Sequence, residues 1–284
     1  DDGSSDGTAE MVDGYEAPFR LSLLRLDKGG KPAALNAAVE ASDATTCLFV
    51  DDDVIASPEL VGAHLAGARR NPLTLGVGTL LQEPPSAPDW YAHAFARGWN
   101  EHFEALLHRQ PLWTDAYGGN FSCPREKLVG VGGFATDLPA VEDSELAYRL
   151  CQAGCLPTYI PEALAVHDDQ KLGPRMIADA RRQGVACIEL AARFPELAGD
   201  VLDWPRGSGP RELAVRRFLI ALRVPPGAVA WPGRLVPGPG RKMIWMHVVR
   251  KLAFWGGVRR SVGRERWRQL THGPRTGQES GGSR

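Results

Sequence analysis

A layered α/β fold is predicted by three features of the sequence. Apolar strand-like runs alternate with helix-period segments over roughly the first two thirds of the chain, glycines mark many of the joints, and one strand-like run ends in three consecutive carboxylates. That run is Leu48-Phe49-Val50-Asp51-Asp52-Asp53. Side chains alternate along a strand, so Asp51 and Asp53 are expected to point one way and Asp52 the other. Two carboxylates on one side suit a hard divalent cation such as Mg²⁺ or Mn²⁺, which takes oxygen ligands and shares its shell with a substrate diphosphate. The alternative is a strand that simply runs into a polar loop.

Composition narrows the class. With 284 residues, 43% apolar and 24% charged, the chain can bury a substantial core. Cys47, Cys123, Cys151, Cys155 and Cys187 form no Cys-x-x-Cys pair, and their odd number argues against a disulfide framework or zinc ribbon. A reducing, cytoplasmic compartment is the expectation. No apolar run approaches the roughly 18 residues of a membrane-spanning helix, and no signal-peptide pattern is present. The sequence opens at Asp1 in mid-motif, which reads as a piece without its natural start. A net charge of −1 hides an asymmetry, because residues 210–284 carry 16 Arg/Lys against 3 Asp/Glu while residues 1–209 carry 17 against 31. The two parts are expected to face different partners.

Taken in order, Asp1 to Thr8 is dense in turn formers, with Thr8 placed to cap a short helix and the carboxylates placed to meet a nucleoside. Leu21–Leu26 reads as a strand. Gly29-Gly30-Lys31-Pro32 opens a helix through Val39; Lys31 there is either a solvated charge or a phosphate ligand. Cys47–Val50 is the strand carrying the carboxylates, Pro58–Arg70 a helix with His64 at the edge of the core, Leu73–Leu81 a buried strand, and Trp90–Leu107 an aromatic-rich helix. Tyr117-Gly118-Gly119-Asn120-Phe121-Ser122 reads as a strand entered through glycines, where backbone approaches a ligand closely. Gly130 to Phe134 is a turn. Glu142-Asp143-Ser144-Glu145 starts a helix whose cap is Asp143 or Ser144, and a carboxylate at a helix N-terminus is stabilised in the ionised form that a general base needs. Leu156–Ile160 and Ala163–Val166 read as two strands, the second ending in His167-Asp168-Asp169, where His167 is either a metal ligand or a hydrogen-bonded loop residue. A helix from Pro174 to about Phe194 closes the series.

Asp1-Asp2-Gly3-Ser4, Gly30-Lys31 with Ala34-Leu35-Asn36, Asp51-Asp52-Asp53, Gly118-Gly119-Asn120, Gly132-Gly133-Phe134 and Glu142-Asp143 together resemble the family 2 glycosyltransferases, in order and spacing, over residues 1–195. The resemblance implies the GT-A fold, a Rossmann-like mixed sheet flanked by helices, binding a nucleotide-diphosphate sugar and Mn²⁺ or Mg²⁺ and inverting the anomeric centre in one displacement. It further implies Asp2 as a base contact, Asp51 and Asp53 as the DxD pair, with Asp51 on ribose and both available to metal, and Asp52 and Lys31 on the donor side. Gly119 and Asn120 would line the donor and acceptor pocket, Asp143 with Glu142 would supply the catalytic base, and His167 a late metal ligand. The family opens with a strand and a Pro-x-x-Asn-like loop that embrace the nucleotide, and both are absent from this sequence, which opens at Asp1. No Gln-x-x-Arg-Trp motif follows Asp143, so transfer of a single sugar is expected; Arg181 and Arg182 stand roughly there, either solvated or facing the diphosphate.

The expected organisation is a GT-A domain over 1–200, a basic amphipathic helical extension over 201–270, and a Gly/Ser-rich disordered tail over 271–284. Arg216, Arg217, Arg223, Arg250, Lys251, Arg259 and Arg260 flank Phe218, Leu219, Leu222, Trp245, Val248, Leu252 and Trp255, a mixture that suits the inner face of an anionic membrane and a lipid-linked or cell-envelope glycan acceptor. Packing of these helices on the acidic domain is the alternative. Nucleic acid is not an expected partner, since the basic stretches are too apolar for a solvated arm. Two rival functions remain at this point: a sugar-phosphate nucleotidyltransferase on a related fold, and a degenerate nucleotide-binding or scaffold module.

Overall fold

The structure is a computed structural model, and residues 1–202 and 224–267 of it are described. The chain divides into two compact units, Asp1–Ser86 with Ala96–Gln170, and Ala87–Phe95 with Lys171–Arg284. The helix read from sequence as closing the residue 1–200 domain therefore belongs with the second unit.

The first unit is a mixed sheet with helices. Its elements are α1 (Thr8–Asp13), α2 (Lys31–Glu40), β1 (Thr46–Phe49), β2 (Val54–Ala56), α3 (Leu60–Arg70), β3 (Thr74–Gln82), the later part of α4 (Trp90–Leu106), β4 (Phe121–Pro124), α5 (Arg125–Gly130), α6 (Glu142–Gln152) and β5 (Leu156–His167). The sheet order is β1-β4-β3-β5-β2, with β3 and β5 parallel and the other pairs antiparallel. This is the expected α/β class. β3 is buried along nearly its whole length, as a strand covered on both faces must be, which is why Leu73–Leu81 reads as a continuous apolar run. Phe49 stacks on Phe121 at 4.9 Å and meets Phe134 edge-on at 5.0 Å, joining two strands to the turn before α6. Asn36 ties that turn to α2: its amide donates to Phe134 O at 2.9 Å and accepts from Phe134 N–H at 2.8 Å. Gly133, at φ 72°, leaves the room, since a Cβ there would lie 2.5 Å from Asn36 Oδ1.

Several elements differ from the sequence reading. Leu21–Leu26 is not a strand. Its backbone meets only Asp1, through Leu26 N–H to Asp1 O and the Asp1 ammonium to Leu24 O, and one paired residue does not make a ladder. Tyr117 to Asn120 forms a turn rather than strand, and β4 starts at Phe121. Asp51 to Asp53 likewise lies beyond β1, in a turn closed by Val54 N–H to Asp51 O at 3.2 Å, so pleat alternation does not set the directions of the three carboxylates. Neither Asp143 nor Ser144 caps α6. The N-cap is Val141, held left-handed at φ 61°, and Asp143 sits in the first turn.

The two strands read at 156–160 and 163–166 are one strand, β5, with a bulge. Ile160 pairs with Gly78 and Leu164 with Thr79, so residues 161–163 bulge out of the register. Three carbonyl or hydroxyl groups would be stranded there, and Asn120 fills the gap. Its Nδ2 donates to Thr79 O at 2.9 Å and to Ala163 O at 2.8 Å, while Thr79 Oγ1 donates to Pro161 O at 3.2 Å. With both amide hydrogens so used, Asn120 Oδ1 must accept from His64 Nε2 at 2.9 Å. The other ring nitrogen, His64 Nδ1, is then the acceptor for Ser122 Oγ–H at 2.8 Å. His64 is 1% exposed and Asn120 2%, which places the histidine inside the core rather than at its edge. Gly78 permits the arrangement, because a Cβ there would lie 2.3 Å from Asn120 Nδ2.

In the second unit, α7 (Gly173–Arg193) packs against the long helix Pro239–Ser261 at two glycines. A Cβ on Gly184 would lie 2.0 Å from Phe254 O, and one on Gly257 2.1 Å from Arg181 O. Several residues expected to face a membrane are directed inward. Lys251, Leu252 and Trp255 are buried, the Trp245 indole donates to Val229 O at 2.9 Å, and Arg250 lies over the Phe95 ring and donates to Gln183. A helix of alternating apolar and basic residues has buried its apolar side intramolecularly. Arg216, Arg217, Phe218, Leu219, Leu222 and Arg223 lie outside the described residues, as does the tail from 271.

Asn120→Ala should cost about 3–5 kcal/mol, since it leaves two carbonyls and an imidazole N–H buried without partners at about 1–3 kcal/mol each. Urea denaturation measures it; a loss below about 1 kcal/mol would mean that water or relaxation substitutes for the amide. Burial lowers the pKa of His64 from its ordinary 6.5. The unfolded chain therefore takes up a proton first as pH falls below 6.5, and stability should decline there while remaining flat above it.

Candidate active site

Acidic groups collect where β1, the turn before β4 and the start of α6 meet. Asp2 begins the assembly: its Oδ1 accepts from Gly29 N–H at 2.7 Å and its Oδ2 from Gly30 N–H at 2.9 Å, fixing the glycine turn that leads into α2. Lys31 follows at the helix start and its Nζ donates to Asp51 Oδ1. Burial alone would lower the Lys31 pKa, but Asp51, with Glu142 and Asp143 further off, outweighs it and raises it. Lys31 is therefore a firm cation set among three carboxylates.

Asp143 is held by backbone. Gly118 N–H donates to its Oδ2 at 2.9 Å and Ser144 N–H to its Oδ1 at 2.6 Å. Burial pushes its carboxyl above the ordinary 3.8, opposed by those two amides and by the Lys31 charge. Glu142 is also raised, by burial and then by the charge of Asp143. Glycine is needed at 118 and 119 because side chains crowd both: a Cβ on Gly118 would lie 3.3 Å from Lys31 Nζ, and one on Gly119 3.0 Å from Leu80 and 3.4 Å from Asp51 Oδ2. The turn carrying them is anchored further back by Asp115, which is buried, accepts from Arg109 at 2.7 and 2.8 Å, and lies 3.2 Å from His102. Burial disfavours the Asp115 carboxylate, but Arg109 and His102 overcome this and hold its pKa well below the carboxylate range.

The second cluster lies at the far end of β5. His167 Nε2 is 2.9 Å from Asp53 Oδ1, and Asp168 N–H donates to Asp53 O at 2.8 Å. Asp53, His167 and Asp169 each offer a ligand atom within 4.8 Å of the others, a spacing that fits one cation, and two oxygens with one imidazole suit Mn²⁺. Asp51 is not in this group, since its carboxylate is on Lys31, and Asp52 is exposed in the turn.

The structure thus brings Lys31, Asp51, Gly119, Glu142 and Asp143 together in one cluster and Asp53 with His167 in the other. It places Asp2 under the glycine turn and Asn120 inside the core, where its amide is spent on the fold. Asp169 was missed from sequence; a His-x-Asp pair at a strand end beside an Asp-rich turn is the signal that would have found it.

Residues 1–130 match the family model described as glycosyl transferase family 2. The chain is similar in fold to mannosyltransferase PcManGT from Pyrobaculum calidifontis, solved in complex with GDP-Man and Mn²⁺, at a TM-score of 0.54 and 18% identity over 90% of this chain and 75% of that one. A weaker likeness, TM-score 0.38 and 14% identity over 65% of this chain and 40% of the other, is to GalNAc-T7 with UDP, GalNAc and Mn²⁺. No curated protein matches. Residues 1–130 thus match glycosyl transferase family 2, in a chain whose first unit has the GT-A fold.

Proposed function

We propose that the chain is an inverting, divalent-metal-dependent glycosyltransferase moving one sugar from a nucleotide-diphosphate donor to an acceptor hydroxyl. The observation that carries the reading is the pairing of a half-buried, backbone-held carboxylate, Asp143, with a separate group of metal-ligating type at Asp53, His167 and Asp169. PcManGT, of similar fold, is solved with GDP-Man and Mn²⁺, which supports a nucleotide-sugar donor and a divalent cation here.

In the reaction the acceptor oxygen bonds to C1 of the sugar as its proton passes to Asp143, and the bond from C1 to the diphosphate oxygen breaks. Asp53, His167 and Asp169 would hold the cation, which when bound supplies positive charge against the departing diphosphate. Lys31 balances Asp51 and Asp143 and contributes charge toward the phosphates. Asp2 and Asp51 face the nucleoside side, Gly119 gives the donor close access to backbone, and Asn120 positions the turn from beneath. Burial and a raised pKa make Asp143 a stronger base than a solvated aspartate.

For the acceptor, a lipid-linked or cell-envelope glycan presented at an anionic membrane surface fits the second unit. Among its described residues Trp231, Leu235 and Ile244 are exposed at 64%, 76% and 65%, beside Arg234, Arg241 and Lys242. Exposed aromatic and aliphatic side chains among basic ones are what interfacial segments use. No helix among the described residues is long and apolar enough to cross a membrane.

A panel of UDP, GDP and dTDP sugars scored by nucleoside-diphosphate release, with Mn²⁺ and with EDTA, tests the activity; release from none of them would remove it. Asp143→Asn should lower transfer by about 10²–10⁴ while donor affinity holds. The acid limb of the wild-type rate should lie above that of an ordinary aspartate, since activity is lost as pH falls through a raised pKa. Unchanged transfer in the variant would reduce Asp143 to a structural residue. Asp53→Ala and Asp169→Ala should each weaken Mn²⁺ binding, read by the loss of the free-ion resonance in a titration, whereas Asp52→Ala should not. Sedimentation with anionic liposomes at low salt should carry the protein down, high salt should release it, and Trp231→Ala with Leu235→Ala should weaken it. Protein left in the supernatant at low salt would end the membrane reading.

A further inference from the structure

The second unit holds a cleft of about 430 Å³ lined by three arginines, Arg181 from α7 and Arg259 and Arg260 from the last turn of the long helix. Its apolar lining includes Leu252, Pro225 and Pro226, and no acidic side chain lines it among the described residues. We propose that this cleft binds the phosphate group of an anionic amphiphile, with the arginines on the phosphate and the apolar wall against the first carbons of its chain.

Basic residues in a last helical turn complement the helix dipole, which accounts for Arg259 and Arg260 singly. It does not account for Arg181, which enters from the middle of another helix. Its position follows from the close glycine contact, because Gly257 sits against the Arg181 backbone and so brings that side chain toward the end of the long helix. The neighbouring Arg182 behaves differently: it pairs with Asp179. Arg181 and Arg260 have no acidic partner among the described residues. Arg259 lies over the Trp267 ring, whereas Arg181 and Arg260 are like charges lining one cleft that repel one another, and an anion placed between them removes that cost. Guanidinium forks match phosphate oxygens two at a time, and the volume lies within the range of ligand pockets. A free phosphate would use the arginines and leave the apolar wall without a function.

The inference does not depend on the transfer reaction, because binding is read without donor or metal. Calorimetry on the whole chain compares decyl phosphate below its micelle concentration, inorganic phosphate, and decanol. Decyl phosphate should bind roughly tenfold or more tightly than either of the others. Arg260→Gln, on the exposed end of the helix, and Arg181→Gln should each weaken it by roughly tenfold, the effect of losing a charged hydrogen-bond partner. Arg182→Gln should bind as the wild type does, and melting curves should match for Arg260→Gln and Arg182→Gln. Inorganic phosphate binding as well as decyl phosphate, equal affinity in all three variants, or no binding of either phosphate would overturn the proposal.

Discussion

The candidate active site depends on a buried amide. Asn120 bridges Thr79 O and Ala163 O across the β5 bulge and accepts from His64, and these bonds fix two things at once. They set the register of residues 164–167 against β3, and so the position from which His167 reaches Asp53. They also anchor the end of the Tyr117–Gly119 turn, whose Gly118 amide holds Asp143. One buried side chain thus links the turn that holds Asp143 to the strand end that carries His167. A buried amide with every hydrogen bond made is rigid, because any movement breaks bonds that water cannot replace.

Electrostatics completes the arrangement. Burial raises both Glu142 and Asp143, the charges of Asp143 and Asp51 raise Glu142 further, and Lys31 is the cation that keeps the set tolerable. Asp53 turns the other way, to His167 and Asp169. The acidic run therefore divides, with Asp51 on Lys31 and Asp53 in the group of metal-ligating type. The proposed mechanism is consistent with that separation, since a carboxylate neutralised by Lys31 is a poor metal ligand.

Much of this was legible because chemistry constrains residue type. Carboxylates after an apolar strand, glycines where Asp51 and Lys31 approach, and an acidic helix start all carry their signature locally. Asn120 was legible as a position and not as a role. A Gly-Gly-Asn turn looks the same whether the amide meets a ligand or plugs a bulge, and the bulge is a property of a distant strand. The α6 cap failed similarly, because the N-cap is Val141 in a left-handed conformation, a backbone state that a β-branched residue rarely takes and that its sequence does not signal. The basic helix was ambiguous for a third reason: cationic and aromatic residues at helical spacing fit a membrane or a neighbouring helix equally well, and the Gly184 and Gly257 contacts that seat this helix on α7 lie far apart in sequence.

The most direct test is a crystal structure of the whole chain grown with Mn²⁺ and a nucleoside diphosphate, with data collected at the manganese edge. The account predicts one anomalous peak flanked by Asp53, His167 and Asp169, with the diphosphate against it and the nucleoside toward Asp51 and Asp2. A peak elsewhere, or a nucleotide bound away from these residues, would contradict it.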